Sequence, residues 1–94
     1  LEYVIRKQSH DTAALFGLND RGVIGVGKRA DVNVIDMDAL TLHAPRMAYD
    51  SPAGGHRLVQ GSSGYSATIV NGVVTRRDGV DAGARPGRLV RGAR

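Results

Sequence analysis

Histidine, carboxylate and serine are the residues here whose types could do chemistry, and their spacing decides what they can do. The histidines are His10, His43 and His56. None stands in an H-x-H, H-x-x-H or H-E-x-x-H arrangement, whereas zinc wants three or four ligands converging at about 2 Å. There is no cysteine, so thiolate metal sites and disulfides are excluded. Ser9, His10 and Asp11 are the residue types of a hydrolytic triad, but they are consecutive. The base must reach the nucleophile while the carboxylate holds its far nitrogen, and adjacent residues do not make that geometry. His10 near a helix start and His43 beside Pro45 read as surface or hydrogen-bonded loop residues. The run G-V-I-G-V-G, Gly22 to Gly27, superficially resembles a phosphate loop. That chemistry requires a preceding strand and a following helix whose amides face the phosphate. Here an alternating strand follows, so the run reads as two tight turns aiming that strand. Asp31 and Asp36 read as turn caps or as partners of Arg21, Lys28 or Arg29. The expectation is that catalytic, cofactor-binding and metal-binding residues within the chain are none.

The elements that would position such residues are short. Leu1, Val4, Ile5 and Gln8 make one helical stripe, and the stripe begins at the first residue, so the helix reads as cut short. Ser9 is expected to cap a second helix, with Asp11 in its first turn, Ala13 to Phe16 as its body and Gly17 as its C′ residue. Asn19 to Gly22 form a turn, and Val23-Ile24 a brief strand. Gly25 and Gly27 permit a second turn that exposes Lys28 and Arg29. Ala30 to Ile35 alternates as a strand, with Val32 and Val34 inside and Asp31 and Asn33 on the opposite face; Asp36 and Asp38 mark its end. Leu40 to Ala53 reads as a short strand or loop wrapping the surface, interrupted by Pro45 and Pro52. His56 to Gln60 is a strand, Gly61 to Gly64 a turn, and Tyr65 to Val70 a strand. Asn71-Gly72 is a type I′ hairpin signal, Val73 to Arg76 returns, and Asp78-Gly79 turns again. From Val80 the chain is a Gly/Pro/Arg coil anchored by Leu89 and Val90.

Size and composition bound the class. Ninety-four residues allow one domain at most, and 13 glycines thin its core. No run approaches the roughly 18 apolar residues of a membrane span, and no membrane partner is expected. The first residues lack the apolar centre of a signal peptide, and the cysteine-free composition suits a cytoplasmic location. The formal net charge is +4. Arg85, Arg88, Arg91 and Arg94 crowd the last ten residues, but with no aromatic platform or basic helix they read as a solvated or docking tail. No nucleic-acid partner is expected.

The combination of A-A-L-F-G-L (Ala13 to Leu18), D-R-G-V-I (Asp20 to Ile24), G-K-R-A-D-V-N-V-I-D (Gly27 to Asp36) and T-I-V-N-G-V-V-T (Thr68 to Thr75) resembles the C-terminal end of amidohydrolase-superfamily enzymes. H-D-T-A-A-L-F-G-L (His10 to Leu18), S-P-A-G-G (Ser51 to Gly55) and G-A-R-P-G-R-L-V-R-G (Gly83 to Gly92) are similar to the D-aminoacylase-like branch, the N-acyl-D-amino-acid deacylases. The resemblance implies a mainly β fold: the C-terminal part of a small composite β-sandwich, preceded by one or two short helices from the end of a (β/α)8 barrel. It implies residues 1–18 packing on the parent barrel, 19–79 in the sandwich and 80–94 as the tail. It also implies zinc in the parent barrel and no cofactor held by this segment. The implied partners are the upstream barrel domain and N-terminal strands of the same enzyme, and a small-molecule N-acyl amino acid substrate; a homo-oligomer is left open. The implied function is that of a non-catalytic segment of an enzyme hydrolysing N-acyl-D-amino acids. The alternatives are the same tail on a cyclic-amide hydrolase or deaminase, and an autonomous β-rich interaction module.

Overall fold

The computed structural model describes residues 1–91. The chain begins as one helical run: α1 (Glu2–Arg6), a π-helical turn (Lys7–Asp11) and α2 (Thr12–Leu15). Two helices separated by a Ser9 cap were expected, and the backbone instead runs through. The hydroxyl of Ser9 donates back to the Ile5 carbonyl at 2.6 Å, and that of Thr12 to the Lys7 carbonyl at 2.7 Å. Back-bonding of this kind perturbs a helix without ending it. Gly17 ends the run at φ +70°, the left-handed C′ conformation glycine adopts without strain. The following loop crosses the helix at Gly22, φ +92°. A Cβ there would lie 2.9 Å from the Cβ of Ala13 and from the Ser9 carbonyl oxygen. Val23 and Ile24 form no strand.

The rest is antiparallel. Strands β1 (Val32–Ile35), β6 (Tyr65–Val70), β7 (Val73–Arg77) and β8 (Val80–Asp81) form a sheet in the order β1-β6-β7-β8. Strands β2 (Thr41–Leu42) and β5 (Ser62–Ser63) form a second pair, and β3 (Arg46–Ala48) and β4 (Arg57–Val59) a third. The pairs are nested: β3 on β4, β2 on β5, β1 on β6. Residues 32–70 are therefore one long interrupted hairpin, closed at its tip by a 3-10 turn at Pro52–Gly54. Leu40 to Ala53, expected as a short strand or loop, holds two short strands, β2 and β3. Ser62-Ser63, expected as a turn, is instead paired strand. Val80-Asp81, expected as coil, extends the meander as β8.

Both reversals of the meander have two consecutive positive-φ residues, Asn71 (+51°) with Gly72 (+79°) and Asp78 (+50°) with Gly79 (+80°). That is the type I′ geometry whose twist matches antiparallel strands. The pairing of β6 with each neighbour shifts by one residue, leaving Ser66 and Thr75 unopposed. Their carbonyls are still satisfied, by the amides of Asp78 and Ala82 at 2.9 and 2.8 Å. Buried or not, the main chain of this sheet is closely accounted for.

Side-chain burial is slight. Among the described residues only Ala13 and Ala67 are buried. Val32 opposes Ile69, which opposes Val74, and Val34 opposes Ala67. Opposed residues share a face, so these five form one largely apolar sheet face, which Arg77 joins opposite Ala67. Val34, expected inside, is 46% exposed, because no second layer lies over it. The radius of gyration is 15.9 Å, against about 12 Å for a compact chain of this length. The accessible surface is 7551 Å², against roughly 5,200 Å² for a compact monomer of this mass.

The hairpin's narrowest point is Gly64, at φ +104°. A Cβ there would sit 2.5 Å from the Leu40 Cα and 2.8 Å from the Leu40 nitrogen. Gly64→Ala should therefore cost about 2 kcal/mol or more, through strain and a main-chain clash. At Gly79, where the space is open, the same change should cost about 1 kcal/mol. Paired denaturant titrations check the order, and equal costs would show that β2–β5 is not closed at this crossing.

Candidate functional site

The densest polar constellation lies where the helical segment, the glycine loop and the sheet meet. Asp20 follows the helical segment, and the Arg29 amide donates to its carbonyl at 2.6 Å. Its carboxylate accepts from Arg21 at 3.0 Å and lies 3.5 Å from the Arg29 guanidinium. Arg21 reaches onward to Asp31 at 3.6 Å. The Asp31 carboxylate in turn accepts the Asn71 amide at 2.8 Å, and the Gly72 amide donates to the Ala30 carbonyl at 2.9 Å. The hydrogen bond from Arg21 holds the Asp20 carboxyl below the usual carboxylate range and raises the arginine in return. Arg29, expected to be exposed, is half-buried by this network. Lys28 is exposed and donates to the Asn19 carbonyl at 2.6 Å.

These groups border a cleft of about 590 Å³, whose opposite wall is the returning tail from Gly87 to Arg91 with Val70 at its floor. Its chemistry is that of a fastener: each carboxylate is already engaged by an arginine or a main-chain amide. Leu89 and Val90, expected as an apolar anchor, are exposed there. Arg94 falls outside the described residues.

The candidates from sequence are dispersed. His10 lies in the π-helical turn, with Nδ1 2.9 Å from the Asp11 carboxylate, which also accepts from Arg6 at 3.2 Å. The hydrogen bond from His10 is the larger cause lowering the Asp11 carboxyl. The Ser9 hydroxyl serves Ile5 rather than His10, so Ser9, His10 and Asp11 are not linked as a relay. His43 lies between β2 and β3, its amide donating to Gly61 at 2.9 Å. His56 lies against Tyr49 near the hairpin tip, the rings tilted at 50° with centres 5.6 Å apart. Among the described residues no three His, Cys, Asp or Glu side chains are grouped to hold a metal ion. The Gly22–Gly27 run is followed by irregular chain and β1, not by a helix. Asp36 accepts the Asp38 amide at 3.1 Å, a turn cap. Among the described residues no helix is long and apolar enough to cross a membrane.

Two further ion pairs, each bidentate, also escaped the sequence reading. Asp50 takes two hydrogen bonds from Arg57, at 2.9 and 2.6 Å. Asp81 takes two from Arg85, at 3.0 and 2.9 Å, and one from the Gly83 amide at 2.8 Å. The second pair is separated by four residues, a spacing that suggests a helix but here bridges a turn. Arg85 and the Gly83 amide hold the Asp81 carboxyl down at about 2.

The model of a group described as the amidohydrolase family matches residues 1–76. An N-acyl-D-glutamate deacylase from Alcaligenes xylosoxydans xylosoxydans is 34% identical over 91 residues, which take in 97% of this chain and 17% of that protein. The chain thus spans under a fifth of the length of the curated relative it matches. No solved structure matches.

Because the folded Asp81 carboxyl is held below its ordinary value, its contribution is complete above about pH 4. It is lost as the pH falls through about 2. A carboxyl-carbon titration by NMR should give a midpoint near 2, rising toward the ordinary carboxylate range in Arg85→Ala while the Gly83 amide still holds it below that range. An ordinary midpoint in the unsubstituted protein would show that the tail is not clamped.

Proposed function

The chain belongs to the amidohydrolase family, and on that footing we propose that it is the non-catalytic C-terminal segment of an enzyme hydrolysing the amide bond of N-acyl-D-amino acids. The observation that carries this reading is the 34% identity to an N-acyl-D-glutamate deacylase across 97% of the chain. Its open architecture supports the same role, since an apolar sheet face and a surplus of exposed surface suit a piece that another part completes.

In this reading residues 1–18 pack on the barrel of the enzyme, 19–79 furnish strands of a composite β-sandwich, and 80–94 form the tail. The barrel and the N-terminal strands of the same polypeptide are the partners. The cysteine-free composition accords with a reducing, cytoplasmic compartment. Zinc polarises an acyl carbonyl and activates water in hydrolases of this chemistry. The described residues here do not fit that metal, because His10, His43 and His56 are dispersed. In this reading no step of the reaction runs through this segment. Its part is to hold the architecture around a site built elsewhere.

The chain alone should release no free amino acid from N-acyl-D-glutamate or other N-acyl-D-amino acids, with or without added zinc. The polypeptide that carries it should do so and should lose activity to a chelator. Turnover that copurifies with the isolated segment, or a carrier polypeptide inert toward every N-acyl-D-amino acid, overturns the reading.

A further inference from the structure

The chain has three asparagines, Asn19, Asn33 and Asn71, and Asn71 alone precedes a glycine. An asparagine side chain in that position is open to attack by the next main-chain nitrogen, because glycine puts no side chain beside that nitrogen. Asn71 and Gly72 are exposed, and a Cβ on Gly72 would meet nothing within 4 Å. Solvent therefore reaches the pair freely. Two hydrogen bonds nevertheless hold it shut. The Asn71 amide donates to the Asp31 carboxylate at 2.8 Å, and the Gly72 amide, the attacking group, donates to the Ala30 carbonyl at 2.9 Å. The conformation of the turn is a second bar. Attack requires the Gly72 nitrogen on the same side of the Asn71 Cα–C bond as the Cβ. Asn71 has φ +51°, and the ψ of about +30 to +60° that goes with the left-handed region sets that nitrogen nearly opposite.

We propose that Asn71 is a self-deamidating site, closed while the start of β1 is docked on the β6–β7 turn and reactive when it lifts away. In the open turn the Gly72 nitrogen bonds to the Asn71 Cγ, and the Cγ–Nδ2 bond breaks. The side-chain nitrogen leaves as ammonia with the proton that Gly72 gives up, and a cyclic imide remains. Water then adds to either carbonyl of the imide. Opening at Cγ leaves aspartate, and opening at the main-chain carbonyl leaves isoaspartate, with the chain routed through the side chain. Neither product closes the turn as before. Aspartate sets a carboxylate on the residue whose amide faces the Asp31 carboxylate, and like charges repel. Isoaspartate adds a backbone atom to a two-residue turn whose type depends on its length. Deamidation is thus a one-way record of time spent with β1 released.

The full chain is kept at mildly alkaline pH and digested at intervals. Peptide mass spectrometry reads the mass gain of an amide exchanged for an acid at Asn71, Asn19 and Asn33. Asn71 should react at least tenfold more slowly in the folded chain than in concentrated urea, as a reaction through a minor open state does. In urea Asn19 and Asn33 should lag behind it. Asp31→Ala, which removes the acceptor for the Asn71 amide, should raise the folded rate about threefold or more. Asp31→Asn, whose side-chain carbonyl still accepts, should not, nor should Asp50→Ala, which breaks an ion pair at the hairpin tip. In the unsubstituted chain, at urea concentrations below the unfolding transition, the Asn71 rate should rise in proportion to exchange of the Gly72 amide and ahead of exchange at Ile69. That comparison needs no variant and decides the matter if Asp31→Ala fails to fold. Equal rates at Asn71 in the folded chain and in urea overturn the proposal. So do a rate that follows Ile69, a folded rate indifferent to Asp31→Ala, and equal reaction at all three asparagines.

Discussion

Main-chain pairing between residues 32–48 and 57–70 holds this molecule in shape, and two close constraints fix its register. At the inner end the Asp31 carboxylate captures the Asn71 amide, and Gly72 bonds Ala30, which ties the start of β1 to the β6–β7 turn. Further out, Gly64 lets the two limbs cross with its α-carbon against Leu40. A side chain at that crossing, or a missing acceptor at position 31, would free the strands to slip. A one-residue slip would turn Val32 and Val34 away from Ile69 and Ala67.

What the pairing does not supply is a core. The sheet presents Val32, Val34, Ala67, Ile69 and Val74 on one face, with no layer over them among the described residues. The helical segment packs on the Gly22 loop instead. The surplus of about 2,300 Å² over a compact monomer is of the size that obligate interfaces bury. The chain spans 17% of the length of the curated relative it matches, and under the proposed function the rest of such an enzyme would cover this face. The ion-pair network of Asp20, Arg21, Arg29 and Asp31 links the glycine loop to the start of β1.

The turns were the most legible part of the sequence. Asn71-Gly72, Asp78-Gly79 and Gly17 each demand positive φ, and each has it. The alternating Val32 to Ile35 and Tyr65 to Val70 strands were legible for the same local reason. The nested outer pairs were not, because β2 and β5 are two residues each and their signal is non-local: Thr41 meets Ser63 across 22 positions. Ser9 misled because a hydroxyl before a helical run can cap a new helix or bond back four residues, and sequence does not choose between them. Of the polar network only the pairing of Asp31 with Arg21 was foreseen; Asp20, which holds both Arg21 and Arg29, was not. The capture of Asn71 by Asp31, 40 residues apart, required the fold.

The central claim is that the sheet is built by pairing here but completed by packing elsewhere. Amide hydrogen exchange tests it most directly, comparing the isolated chain with the same residues inside the polypeptide that carries them. The account predicts that the amides of Ala67, Ile69 and Val74 exchange at least a hundredfold more slowly in the longer polypeptide, about 2.7 kcal/mol of added protection. Equal and strong protection in both would show a sheet that is stable without a second layer, and would contradict the account.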